Sequence, residues 1–190
     1  MARPRAFDEE KVLDAAREQF ARTGYAATSM DDLMKATGLG KGSLYGAFGD
    51  KHQLFLRVLE GYCVDSVSDV RDLLAGPEPA ADRVRALVLE SARGATARGC
   101  MLANSTAELN ERDEEVQRKS RKAFDTIEVL LTRVLDDAKS EGDLGPTVDT
   151  GAQAKVLVAV MQGVEFLAKT RLPAADLERI ADTALANLFG

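Results

Sequence analysis

A chain of 190 residues, 45% of them apolar, is long enough for one ordinary domain or two small ones sharing a core. Aromatics make up 5%, Trp is absent and no β-branched residues alternate with polar ones, which excludes a sheet protein and points to an all-helical one. The net charge of −6 excludes indiscriminate nucleic-acid binding, yet residues 1–52 balance eight Lys/Arg against eight Asp/Glu, so the excess acid lies wholly beyond them.

Met1 to Phe7 is a short basic arm, with Arg3 and Arg5 flanking Pro4. It reads either as a disordered tail or as an arm that touches DNA. Asp8 caps a first helix with the apolar stripe Val12, Leu13, Ala16 and Phe20, and Gly24 ends it. Thr28 or Ser29 caps a second, because Asp31 and Asp32 each stand three residues beyond one of those hydroxyls. That helix points Met30, Leu33 and Met34 inward and stops at Gly38.

Between Thr37 and Lys51 the pattern gives a tight turn with Leu39 as its plug, then a very short third helix. Leu44 and Phe48, four apart, share its inner face and leave Lys41, Gly42, Ser43 and Tyr45 outside. A basic, hydroxylic and aromatic set with glycines that permit close approach suits a phosphate backbone and a groove of bases. Gly38 to Ser43 is not a nucleotide-phosphate loop, since the segment before it is an amphipathic helix and not a buried strand.

Ser43-Leu44-Tyr45-Gly46-Ala47-Phe48 after a Gly-containing turn, with Lys51 beyond, resembles the recognition helix of the TetR family of bacterial transcriptional regulators. The likeness is close over residues 8–60 and looser afterwards. It implies an N-terminal three-helix helix-turn-helix DNA-binding domain, here 1–52, and a helical ligand-binding and dimerisation domain, here 53–190, with about nine helices in all. It also implies DNA contacts from Thr28, Tyr45 and Lys51 beside Lys41, Gly42 and Ser43. Gly46 and Ala47 depart from the family, which often has His, Asn or aromatic residues there.

Asp50 with Gln53 opens a fourth helix running to about Ala75, the one continuous link between this head and the rest. His52 reads as an exposed first-turn residue with no second metal ligand nearby. A fifth helix spans Ala80 to about Ala97, with Val84, Leu87, Val88 and Ser91 on its stripe. Gly99 then breaks the chain before a short helix beginning near Cys100. The Gly99-Cys100 step looks like one branch of the same family, in which such a cysteine senses electrophiles or oxidants. A helix N-terminus would lower the thiol pKa, and a small buried residue filling space is the other reading.

Asp113 opens the longest helix, to about Ser140, and Arg118, Lys119, Arg121 and Lys122 read as its solvated face. Asp149 caps an eighth helix that is apolar nearly all round, and Pro173 starts a ninth. Two terminal helices so rich in Ala and Leu suggest a dimer. The family pairs these two helices across a two-fold axis, here with Val160, Gly163, Leu177, Ala181, Ala184 and Leu188 as interface residues.

Cys63 and Cys100 make no disulfide framework, and no signal peptide precedes Asp8. The most apolar segment, 152–168, is interrupted by Gln153, Lys155, Gln162 and Glu165 and falls short of the ~20 residues a bilayer needs. The expectation is a cytoplasmic protein with no membrane partner, no cofactor and no metal. One His and no Ser-His-Asp set argue against an enzyme. The reading is a ligand-responsive repressor that binds a double-stranded DNA operator as a homodimer. A small apolar or electrophilic inducer would occupy a pocket lined by Cys100, Met101, Leu102, Phe124, Ile127, Met161 and Phe166. The alternatives are a helical interaction module that no longer reads DNA and a small-molecule carrier.

Overall fold

The computed structural model describes residues 7–109 and 112–190, so the arm with Arg3 and Arg5 lies outside the described residues. Among the described residues there are nine helices: α1 Glu9–Thr23, α2 Met30–Thr37, α3 Lys41–Phe48, α4 Lys51–Leu74, α5 Ala80–Gly94, α6 Met101–Leu109, α7 Glu114–Glu141, α8 Thr150–Ala168 and α9 Ala174–Phe189. None of them is long and apolar enough to cross a membrane.

The helix boundaries follow local chemistry. Asp8, Asp50, Asp113 and Asp149 each accept backbone N–H groups of the first turn of α1, α4, α7 and α8. Ser29, not Thr28, caps α2, in a reciprocal box with Asp32. Gly38 ends α2 in the left-handed conformation at φ 70, returning its N–H to Met34, a geometry that a residue without a Cβ adopts without strain. Helix α5 stops at Gly94, earlier than its sequence suggests, because Ala95 is already extended; Ala92, not Ser91, fills the buried place.

Two buried clusters share the interior. Val12, Ala16, Phe20, Leu33, Leu44 and Phe48 pack on Leu54, Phe55, Val58 and Leu59 of α4, and the same cluster continues into Cys100, Met101, Leu102, Val116 and Ala123. The second lies farther along α4 and joins α5, α7, α8 and α9 around Val84, Leu87, Leu131, Leu135, Leu157 and Ala181. The first half of α4 thus belongs to the N-terminal head and its second half to the body. The start of α6 is wedged where the two meet.

Candidate functional site

Helix α3 is eight residues long and too short to stand alone in water. Leu44 at 0% exposure and Phe48 at 3% anchor it in the head. Its outer face is open: Lys41, Gly42, Ser43 and Tyr45 are all exposed, as the four-residue spacing of the anchors requires. The Lys41 ammonium stands 5.8 Å from the Tyr45 ring centroid, and a Cβ at Gly42 or Gly46 would meet nothing within 4 Å. Ala47 instead packs against the head, so it is no reading position. A rigid rod with a basic, hydroxylic, unobstructed face can lie along a groove and place donors on phosphates.

Two expected contacts lie elsewhere. Thr28 is 1% exposed; its hydroxyl donates to the Gly24 carbonyl at 2.6 Å and lies 2.7 Å from the Thr23 hydroxyl, so it closes the α1–α2 loop internally. The exposed hydroxyl at this entry is that of Ser29. Lys51 does not extend freely beside Tyr45. Its ammonium donates to the carbonyls of Tyr25 and Thr28, both at 2.9 Å, and sits 4.2 Å from the Tyr25 ring centroid. One of its three N–H donors is left for another acceptor.

The head is tied to the body at points the sequence did not disclose. Glu108, in the last turn of α6, accepts the N–H of Tyr25 at 2.9 Å and of Ala26 at 2.6 Å. Its carboxylate also fills the space a Cβ at Gly24 would need. His52 is not a free surface residue: its Nε2 lies 2.6 Å from the Asp113 carboxylate that caps α7. Burial pushes the Asp113 carboxyl up, but the His52 bond and the amides of Val116 and Glu115 outweigh it and hold the group below its usual range. Arg17 pairs with Asp65 at 2.7 Å, and Arg98 pairs with Glu18. Tyr25 directly follows Gly24, the glycine at which α1 ends, whereas no sequence pattern joins it to Glu108.

Inside the body, Cys100, Met101 and Leu102 are buried where α6 begins, and Phe124 packs against the same cluster. Ile127 and Met161 belong to the neighbouring cluster. Phe166 joins only Met101 of this set, across an open pocket that Phe20, Tyr25 and Glu108 also line. Phe166 is 65% exposed, because Val164 and Ala168 take the inner face of α8 and a residue two places from each points outward. The Tyr62 hydroxyl stands beside the Cys100 thiol and the Met101 amide. The expected lowering of the Cys100 pKa is reversed: burial raises it, although the amides of Ala103 and Leu102 pull the other way. Burial likewise raises the Glu165 carboxyl on α8.

On the far side, α8 and α9 leave an open apolar trough lined by Val156, Val160, Ile180, Ala184 and Leu188. A Cβ at Gly163 would find open space. Leu177 at 3% and Ala181 at 0% exposure correct the expected interface: they face the chain's own core, and Val156 and Ile180 stand in the trough instead.

Comparison with known proteins places this arrangement. Residues 12–58 match the family described as bacterial regulatory proteins, tetR family, and residues 80–184 match the tetracyclin repressor-like C-terminal domain. The uncharacterized HTH-type transcriptional regulator YezE of Bacillus subtilis (strain 168) is 30% identical, over 96% of this chain and 95% of the relative. The HTH-type transcriptional repressor ComR of Escherichia coli (strain K12) is also 30% identical, over 96% and 90%. A cysteine mutant of the TetR family transcriptional regulator CifR, solved with 26-bp double-strand operator DNA, superposes with a TM-score of 0.87 at 28% identity, covering 98% of this chain and 100% of that one. An exposed third helix on a three-helix head, joined through α4 to a helical body, is therefore this chain's form of a shared architecture, and the chain belongs to the TetR family of transcriptional regulators.

Proposed function

We propose that this chain is a ligand-responsive repressor that binds a roughly palindromic operator as a homodimer, acting in the cytoplasm. Residues 1–52 act as the reading head and 53–190 as the ligand-binding and dimerisation part. The observation that carries this reading is the outward row Lys41, Gly42, Ser43 and Tyr45 on a helix whose other face is locked by Leu44 and Phe48. Lys41 and Tyr45 meet phosphates, Ser43 and the bare backbone at Gly42 approach bases, and the remaining donor of Lys51 reaches a flanking phosphate. Two copies pair through the α8–α9 trough of Val156, Val160, Ile180, Ala184 and Leu188, with the bare Gly163 one turn from Val160 allowing close approach, which sets the distance between two heads.

An apolar or electrophilic inducer occupies the interior beside Cys100, Met101, Leu102, Phe124, Ile127 and Met161. To do so it parts Cys100 from Tyr62 and displaces the start of α6, whose other end carries Glu108 and its grip on the head. Release from DNA then depends on how much more tightly the inducer binds the displaced state than the DNA-bound one.

Footprinting of the DNA upstream of the chain's own coding sequence tests the reading. Two protected half-sites a multiple of about 34 Å apart are expected, with protection lost steeply as salt rises. Absent or salt-insensitive protection would overturn it.

A further inference from the structure

The basic run on α7 faces solvent at Arg118, Arg121 and Lys122, and only its Lys119 is largely covered. With the middle of α4 the run walls a groove of about 320 Å³, within the size range of small-ligand sites. Four cations line it, Arg71 from α4 and Arg118, Lys119 and Lys122 from α7, against the single carboxylate of Glu60. This is a local excess of positive charge on a chain whose net charge is −6. Glu60 is already engaged, 3.0 Å from the Lys119 ammonium, and Arg118 pairs with Glu115 at 3.5 Å. Among the described residues Arg71 and Lys122 have no acidic partner.

Between the cations the walls are apolar. Val64 is 64% exposed, and Val67, Ala123 and the half-buried Cys63 lie beside it. Burial pushes the Cys63 thiol up to about 11 and its Sγ points at the Lys119 carbonyl at 3.9 Å, so at neutral pH it offers apolar surface and no charge. Arg71 stands roughly 30 Å along α4 from Lys51, too far to share a DNA phosphate with α3. A solvated charged face has no need of an exposed valine between its cations, whereas an amphipathic anion uses both features.

We propose that the α4–α7 groove is a binding site for an aliphatic carboxylate, with the carboxylate held between Arg71 and Lys122 and the alkyl chain laid on Val64 and Val67. None of its lining residues is among those assigned to the interior beside Cys100. The site does not depend on operator recognition, so it stands or falls apart from the footprinting result.

Isothermal titration of the full chain with octanoate, octanol and acetate tests it. Octanoate should bind at least about tenfold more tightly than either of the others, and the double variant R71Q/K122Q should lose about tenfold of that affinity with an unchanged melting temperature. Val64→Asp should weaken octanoate by a similar factor. The site is overturned if octanoate does not bind, if octanol binds as tightly, or if R71Q/K122Q retains wild-type affinity.

Discussion

The carboxylate of Glu108 at the end of α6 holds the backbone N–H of Tyr25, 83 positions earlier in the chain, at 2.9 Å, and the N–H of Ala26 at 2.6 Å. This bond joins the loop between α1 and α2 to the helix that begins at Cys100. Replacing Glu108 with Ala should lower the melting temperature by about 2–4 °C, the equivalent of roughly 1 kcal/mol in a chain of this size. Hydrogen exchange should quicken at Tyr25 and Ala26 and not in the body. Unchanged protection at those two amides would remove Glu108 as the tie between head and body.

Lys51→Ala should cost more than a surface lysine does, because its ammonium bridges two carbonyls and covers the Tyr25 ring. Leaving two partly buried acceptors without donors predicts a loss of about 1–3 kcal/mol, read by urea denaturation. A variant as stable as the parent would show that the bridge contributes nothing.

Tyr45→Phe separates affinity from folding. Tyr45 is 41% exposed on the face opposite Leu44 and Phe48. The melting temperature should therefore hold while operator affinity falls by about 1 kcal/mol, the typical value of one hydrogen bond. Full affinity in the variant would end the hydroxyl's role.

Glu165 gives a pH test. Burial raises its pKa in the folded chain, so the unfolded chain ionises first as pH rises. Stability then declines from the ordinary carboxylate pKa up to the raised folded value and is level above it. Glu165→Gln should raise the melting temperature at neutral pH and leave it unchanged below the ordinary carboxylate range. A gain that persists in acid would mean that charge burial is not the cause.

Most of the head was legible because its signals are local. Capping hydroxyls and carboxylates, the left-handed glycine at Gly38 and the four-residue spacing of Leu44 and Phe48 each act within a turn or two of helix. What was misread depends on partners distant in sequence. Thr28 and Ser29 are equivalent as caps, and only the packing of Thr23 and Gly24 decides which hydroxyl is buried. Cys100 does have helix N-terminal amides, but the desolvation that outweighs them comes from the surrounding fold. In α9, Leu177 and Ala181 differ from Ile180 and Ala184 only in helical phase, and apolar character alone does not say which stripe faces α5.

The two stripes can be told apart. Ile180→Glu should give a monomer on size-exclusion chromatography with helix content retained. Leu177→Ala should keep the dimer but cost about 2–5 kcal/mol through the cavity it leaves. The reverse pattern would move the interface to the stripe that the fold has buried.

The salt dependence of operator binding by Lys41→Ala tests the central claim most directly. If the outward face of α3 lies against a duplex, log K against log salt should flatten by about one unit relative to the parent, and affinity should fall to a similar degree on every sequence tried. A slope and an affinity both equal to the parent's would contradict the claim.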